Sequence, residues 1–352
     1  MRAWEQYFRQ VEPYTPGEQP KDTGVIKLNT NENPYPPAPA VEKALQNMDF
    51  SKFRLYPDPK ADALVEAIAA YYQLSKDQVF VGVGSDDVIG MSFLTFFNSD
   101  KPILFPDITY SFYDVWADLF KIPYERPALD QTFQICLEDY KKENGGVIFP
   151  NPNAPTGEAV DLEFIKKVLD YNQDVVVIID EAYVDFGAKS AVELINQYEN
   201  LLVVQTFSKS RAMAGMRIGY AMGDKRLIQA LNDVKYSYNS YTMNMPAIEL
   251  GVNSIEDKEY FREITEKIID IREYSKEEFK KLGFVFGDSM ANFIFVTHKE
   301  YPAEELFEYL KSKKIYVRHF KQPRIQNYLR ITIGTKEQMD AMFVALRNYQ
   351  RA

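Results

Sequence analysis

Between residues 79 and 205 short apolar runs alternate with segments of helical spacing, which restricts the available folds more than any other feature of the chain. Runs at 79–83, 103–106, 147–150, 175–179 and 201–205 read as strands, and 87–97, 110–120 and 162–171 as helices. The run at 175–179 is continuously apolar and β-branched, as expected of a strand buried on both faces. Such a pattern predicts an α/β fold with a mainly parallel sheet flanked by helices. Further on, a helix is expected from beyond Asp224 to about Val234, and a long helical region over 245–282. The last seventy or so residues then read strand (292–296), helix (303–313), two strands (315–318 and 328–333) and helix (336–349), a smaller α+β unit. A proline-rich N-terminal arm with one short strand at 25–28 is expected to pack with it. The expected division is a large unit at 36–255 and a small one made of 1–35 plus 256–352.

Parallel sheets carry ligands at the carboxyl ends of their strands, and the polar clusters of this chain sit there. Gly84-Ser85-Asp86 follows one strand, residues 151–157 another, Asp180 a third, and Thr206, Ser208 and Lys209 a fourth. A lysine ending a buried strand is suited to act as a nucleophilic amine that captures a carbonyl group. Thr206 and Ser208 add hydroxyls, and Arg217 adds a planar fork suited to a phosphate. An aldehyde that also bears a phosphate is pyridoxal phosphate (PLP). Asp180 would face its pyridine nitrogen, and Tyr183 would donate to its phenolic oxygen. Taken singly, Lys209 also suits a solvated lysine after a strand, and Asp180 also suits a cap on the next segment.

Composition narrows the chemistry. The 352 residues carry a net charge of −10 without a basic block, which argues against nucleic acid or an anionic membrane as partner. One cysteine, Cys136, leaves no intrachain disulfide, and two histidines, His298 and His319, leave no histidine-rich metal site; no metal is expected. No apolar run approaches a membrane span and the first residues do not read as a signal peptide, so a cytoplasmic protein is expected.

Motifs along nearly the whole chain resemble the fold-type I PLP-dependent transferases, and among them the histidinol-phosphate aminotransferases of class II. They are L-N-T-N-E-N-P-Y (28–35), Y-P-D-P (56–59), V-G-V-G-S-D-D (81–87), N-P-N-A-P-T-G (151–157), D-E-A-Y-V-D-F (180–186), T-F-S-K-S-R-A-M-A-G-M-R-I-G-Y (206–220) and L-R-I-T-I-G-T (329–335). The resemblance implies that Lys209 holds the cofactor's aldehyde and shuttles a proton between the substrate Cα and the cofactor's C4′. Thr206, Ser208, Arg217 and the backbone N–H groups of Ser85 and Asp86 would hold its phosphate, and Tyr110 would stack on its ring. Tyr56 would reach the phosphate of a neighbouring subunit, which implies a homodimer with shared active sites. Arg330 would bind the anionic tail of the substrate, with Arg318, Tyr14 and Tyr238 as further phosphate-binding groups.

The sequence departs from the family pattern at two positions. Ala154 stands where the family has an asparagine that bonds the cofactor's phenolic oxygen, so Asn153 takes over that bond or Tyr183 acts alone; Asp87 stands for a glutamate. The implied reaction exchanges nitrogen between L-histidinol phosphate/imidazole-acetol phosphate and glutamate/2-oxoglutarate in histidine biosynthesis. Aromatic amino-acid aminotransferase and threonine-phosphate decarboxylase share most of the motifs and are the alternatives.

Overall fold

The structure, a computed structural model, describes residues 2–350. An irregular arm holds β1 (Ile26–Lys27), followed by α1 (Pro39–Gln46), α2 (Asp62–Tyr72), β2 (Val79–Gly82) and α3 (Ser85–Phe96). Next come β3 (Ile103–Leu104), α4 (Phe112–Phe120), β4 (Tyr124–Glu125), β5 (Gly146–Pro150) and α5 (Leu162–Tyr171). The centre of the chain supplies β6 (Val177–Asp180), β7 (Leu201–Thr206), β8 (Gly219–Gly223) and α6 (Lys225–Tyr238). The remainder is α7 (Met245–Glu256), α8 (Lys258–Lys281), β9 (Phe284–Phe286), β10 (Phe293–His298), α9 (Ala303–Ser312), β11 (Ile315–Tyr316), β12 (Arg318–His319), β13 (Leu329–Thr332) and α10 (Lys336–Gln350).

The seven-stranded sheet has the order β2-β8-β7-β6-β5-β3-β4, all parallel except β8, which runs against both its neighbours. Side chains alternate across a strand, and here the alternation divides two cores. Val147, Phe149, Val177, Ile179, Leu201 and Val203 fill one, while Ile148, Ile178, Leu202 and Val204 fill the other. Both faces of the central strands are therefore dry, which is why their sequences are unbroken apolar runs.

The C-terminal part forms an antiparallel sheet, β12-β13-β10-β9, with its own core built on Phe279, Phe293, Ile331 and Phe343. β1 of the arm pairs in parallel with β11 in a separate two-stranded sheet, tying the arm to the C-terminal part of the chain. The expected long helix over 245–282 is two helices. Asp257 breaks it, its side chain accepting from the Tyr260 amide at 3.2 Å and so starting α8 afresh. The expected helix at 110–120 begins only at Phe112, and β4, β8 and β9 join the strands expected from the sequence.

Candidate active site

Four parallel strands, β2, β5, β6 and β7, end at one edge of the large sheet. The reversed β8 begins at that edge, so the connection from β7 to β8 leaves and returns to the same place. Lys209 and Arg217 both lie on this connection. Lys209 is half-buried, and its Nζ donates to the carbonyl of Thr30 at 3.2 Å. Asn33 Nδ2 donates to the carbonyls of Lys209 and Ser210 at 3.0 and 3.1 Å. Residues 29–33 thus form a strap across the lysine.

At one end of the site lies an anion cup. Gly84 turns the chain from β2 into α3 at φ +86°, leaving the first N–H groups of the helix without intrahelical partners. Ser208 Oγ accepts from Thr206 Oγ1 at 3.0 Å and from Arg217 Nη1 at 3.4 Å. Arg217 Nη2 meets Asp86 Oδ2 at 3.4 Å, and Asp86 Oδ1 accepts from the Tyr110 hydroxyl at 2.8 Å. A Cβ on Gly84 would lie 2.3 Å from Arg217 Nη2, and one on Gly219 would lie 2.2 Å from the Gly84 carbonyl carbon. The cup closes only because both positions lack a side chain. Burial, reinforced by the Asp86 carboxylate, pushes the Tyr110 hydroxyl far up and keeps it a donor.

At the other end Asp180, the last residue of β6, is 4% exposed. Burial pushes its carboxyl up to about 6, against hydrogen bonds from the Tyr113 hydroxyl at 2.8 Å and the Ala182 amide at 3.2 Å. It is ionised at neutral pH and suited to a cationic ring nitrogen. Tyr183 Oη, between the two ends, accepts from Asn31 Nδ2 at 2.9 Å, and Lys209 Nζ lies 5.7 Å from the centre of its ring. Behind the site Glu181 is wholly enclosed, and burial pushes it up to about 8 although Ser190, Ala191 and Gln205 all donate to it.

A cavity of about 180 Å³ joins these groups. Ser85, Asp86, Tyr110, Asp180, Tyr183, Thr206, Ser208, Lys209 and Arg217 line it, together with Thr30, Glu32, Ala154, Ala182 and Ala214. Asn153 does not. Its Nδ2 donates to the Ile108 carbonyl and Thr156 Oγ1, both at 3.0 Å, while its Oδ1 is buried without a partner among the described residues. Ala154 forms the wall instead.

Tyr14, Arg318 and Arg330 gather beside the cavity without lining it. The Tyr14 ring stands 6.3 Å from that of Tyr110, and Arg318 faces Arg330 across the β12–β13 pair. Arg330 Nη2 donates to the Asn29 carbonyl at 3.1 Å, and its Nε is buried without a partner among the described residues. Desolvation, with a smaller contribution from the Arg318 charge, lowers its pKa. Tyr56 and Tyr238 lie on the surface, 80% and 74% exposed, with the Tyr56 ring 4.7 Å from that of Tyr241. Sequence reasoning did not single out Tyr113, Asn31, Asn33, Thr30 or Glu32. The 28–35 motif was the available signal for the last four; Tyr113 reads as an ordinary apolar position of α4.

The sequence profile of "Aminotransferase class I and II" matches residues 23–346. A curated relative, the histidinol-phosphate aminotransferase of Clostridium botulinum (strain Kyoto / Type A2), is 51% identical over 339 residues, 96% of each chain. That of Clostridium acetobutylicum is 52% identical over 338 residues, again 96% of each chain. Among solved structures, histidinol-phosphate aminotransferase from Sinorhizobium meliloti in complex with pyridoxal-5′-phosphate superposes with a TM-score of 0.84 at 22% identity, covering 93% of this chain and 91% of that one. The chain belongs to the class I and II aminotransferases and, within them, to the histidinol-phosphate aminotransferases.

Proposed function

We propose that the protein binds PLP in the cavity around Lys209 and moves an amino group from glutamate to imidazole-acetol phosphate. The products are 2-oxoglutarate and L-histidinol phosphate, a step of histidine biosynthesis. One observation carries this reading: a lysine stands between an anion cup and a buried carboxylate in a single cavity. The donor set fits PLP at every functional group. Arg217, Thr206, Ser208 and the start of α3 suit the phosphate, Asp180 the ring nitrogen, and Tyr183 the phenolic oxygen, while Tyr110 forms a wall of the cavity beside them. Ala154 offers no polar atom, so Tyr183 is the side chain assigned to the phenolic oxygen. Asn153, turned toward Ile108 and Thr156, receives no such role.

When bound, PLP supplies an electron sink that makes the substrate's Cα proton removable. Lys209 Nζ would hold the cofactor by its aldehyde and would serve as the base that accepts and returns the substrate's Cα proton. Asp180 stays ionised and keeps the ring nitrogen protonated. Arg330, supported by Arg318 and Tyr14, binds either a phosphate monoester or a carboxylate, since a guanidinium fork accepts both. Tyr56 and Tyr238 are assigned to the neighbouring subunit's site in a homodimer. Their exposure, among the exposed Phe50, Phe53, Leu55 and Tyr241, supports that assignment.

The same proposal divides the chain into a cofactor-binding unit at 36–255 and a smaller unit of 1–35 with 256–352, whose outermost residues, 1 and 351–352, lie outside the described residues. The core beneath the antiparallel sheet is drawn mostly from the smaller unit, with Ala154, Tyr183 and Phe186 added from the larger one, and this supports the division. Among the described residues no helix is long and apolar enough to cross a membrane, which agrees with the cytoplasmic location proposed here. The deciding experiment is a substrate panel with glutamate as donor. Turnover of imidazole-acetol phosphate well above that of phenylpyruvate, with no decarboxylation of threonine phosphate, is expected; the reverse preference would overturn the substrate assignment.

A further inference from the structure

The strap over Lys209 carries a chain of hydrogen bonds whose direction is set at its far end. The amide of Asn31 donates to Thr332 Oγ1 at 3.0 Å, taking one of that hydroxyl's two acceptor sites, and Asn31 Oδ1 is the acceptor that the structure offers for its proton. The single hydroxyl proton of Thr332 then goes to Asn31 Oδ1, also at 3.0 Å. With its oxygen so engaged, the Asn31 side chain can present only its NH₂ to Tyr183, and Nδ2 donates to Tyr183 Oη at 2.9 Å. Tyr183, having accepted this bond, gives its own proton to no group among the described residues.

The members of the chain are held firmly. Thr332 and Asn31 are each 1% exposed, and Asn31 is fixed in a left-handed conformation at φ +56°. Its carbonyl accepts from Asn292 Nδ2 at 3.0 Å. The Tyr183 ring stands edge-on to Phe293, with centroids 5.0 Å apart and planes at 89°.

We propose that Thr332 and Asn31 are positioning residues that force Tyr183 to act as a donor toward the cofactor's phenolic oxygen, in place of the polar group that Ala154 lacks. This rests on the PLP reading above. Thr332 follows Arg330 by two positions on β13, so the two share a face of that strand. Arg330 also holds the strap through the Asn29 carbonyl. The anion-binding strand and the tyrosine that adjusts the cofactor's electron density are therefore joined through three residues of the strap.

A hydrogen bond donated to the phenolic oxygen draws electron density from the nitrogen by which Lys209 holds the cofactor. Its loss makes that nitrogen more basic and moves the midpoint of the pH-dependent visible spectrum upward. The test is a spectrophotometric pH titration of the PLP-loaded protein. Tyr183→Phe should raise the midpoint by roughly one unit, the size of one hydrogen bond to a charged acceptor. Asn31→Asp replaces the donor with a carboxylate that takes the Tyr183 proton for itself. In that background Tyr183→Phe should add nothing, which separates the relay from the effect of the added charge. Thr332→Val, a neutral change that frees the Asn31 amide to turn over, should give an upward shift of its own, and Thr332→Ser should restore the parent midpoint. A merely structural role would lower the thermal midpoint of Thr332→Val and leave the spectrum where it was. Equal shifts from Tyr183→Phe in the parent and Asn31→Asp backgrounds would overturn the relay, as would an unshifted Thr332→Val; if Asn31→Asp does not fold, Thr332→Val decides alone. A parent protein with no pH-dependent visible band would instead overturn the cofactor reading.

Discussion

Tyr113 donates its hydroxyl proton to Asp180 Oδ2 at 2.8 Å, from a helix whose other inward residues only fill the core. The bond holds the carboxylate ionised against burial, which still lifts it from 3.8 to about 6. A folded-state pKa raised above the unfolded value gives stability that is full below the unfolded pKa and lost as pH rises through the folded one. Without cofactor, keeping Asp180 ionised at neutral pH therefore costs up to about 3 kcal/mol. Asp180→Asn apo-protein is expected to be more stable than the parent above pH 6, with the difference fading toward pH 4, while PLP affinity falls. Denaturant titrations of both apo-proteins at the two ends of this range measure the first effect, and fluorescence titration with PLP the second.

Gly84→Ala should spoil the anion cup. The new methyl would approach Arg217 Nη2 to 2.3 Å at a backbone angle of φ +86°. Strain of this kind costs roughly 1–3 kcal/mol before the displaced guanidinium is considered. We expect PLP binding to weaken by about tenfold or more, with inorganic phosphate losing its competition for the site in parallel. PLP binding of parent strength would show that the cup does not hold the phosphate.

The facing pair Arg318 and Arg330 should separate the two substrates. A phosphate monoester has oxygens enough to occupy both forks, whereas a carboxylate needs only one. Arg318→Ala is expected to lower kcat/KM for histidinol phosphate more than for glutamate, and Arg330→Ala to lower both. A lost charge-assisted pair of this type is worth about 2–5 kcal/mol. Equal losses for the two substrates in Arg318→Ala would assign Arg318 to the support of its own sheet.

Tyr56, 80% exposed in the single chain, should become protected in the assembled protein. Sedimentation at low concentration should report a dimer. Mixing Lys209→Ala subunits with Tyr56→Ala subunits should restore activity above that of either alone, because one site of each hybrid is intact. A fully active monomer would rule out shared sites.

The central strands were legible because burial on both faces demands the unbroken runs at 147–150 and 201–205. β8 was not: Gly219-Tyr220-Ala221-Met222-Gly223 has no β-branched residue, and its glycines serve a close approach that only the folded chain reveals. The break at Asp257 was hidden because neither glycine nor proline marks it, and an aspartate within a charged helical pattern does not announce a cap. The residues around Lys209 on its own loop could be read from motif spacing. Asn31, Asn33 and Tyr113 reach the site from other elements, through contacts that leave no periodic trace in the chain.

The strap at 29–33 has a consequence for how the protein is made. The hydroxyl that orients Asn31 belongs to a residue made 301 positions later. Arg330, which grips the same strap, is just as late. The strap therefore has nothing to close against until β13 has been made. A nascent chain that stops at α9 can contain Lys209, Arg217 and Asp180 and still lack a lid over them. The making of β13, and not the earlier closure of the large sheet, is the event that seats the strap over Lys209.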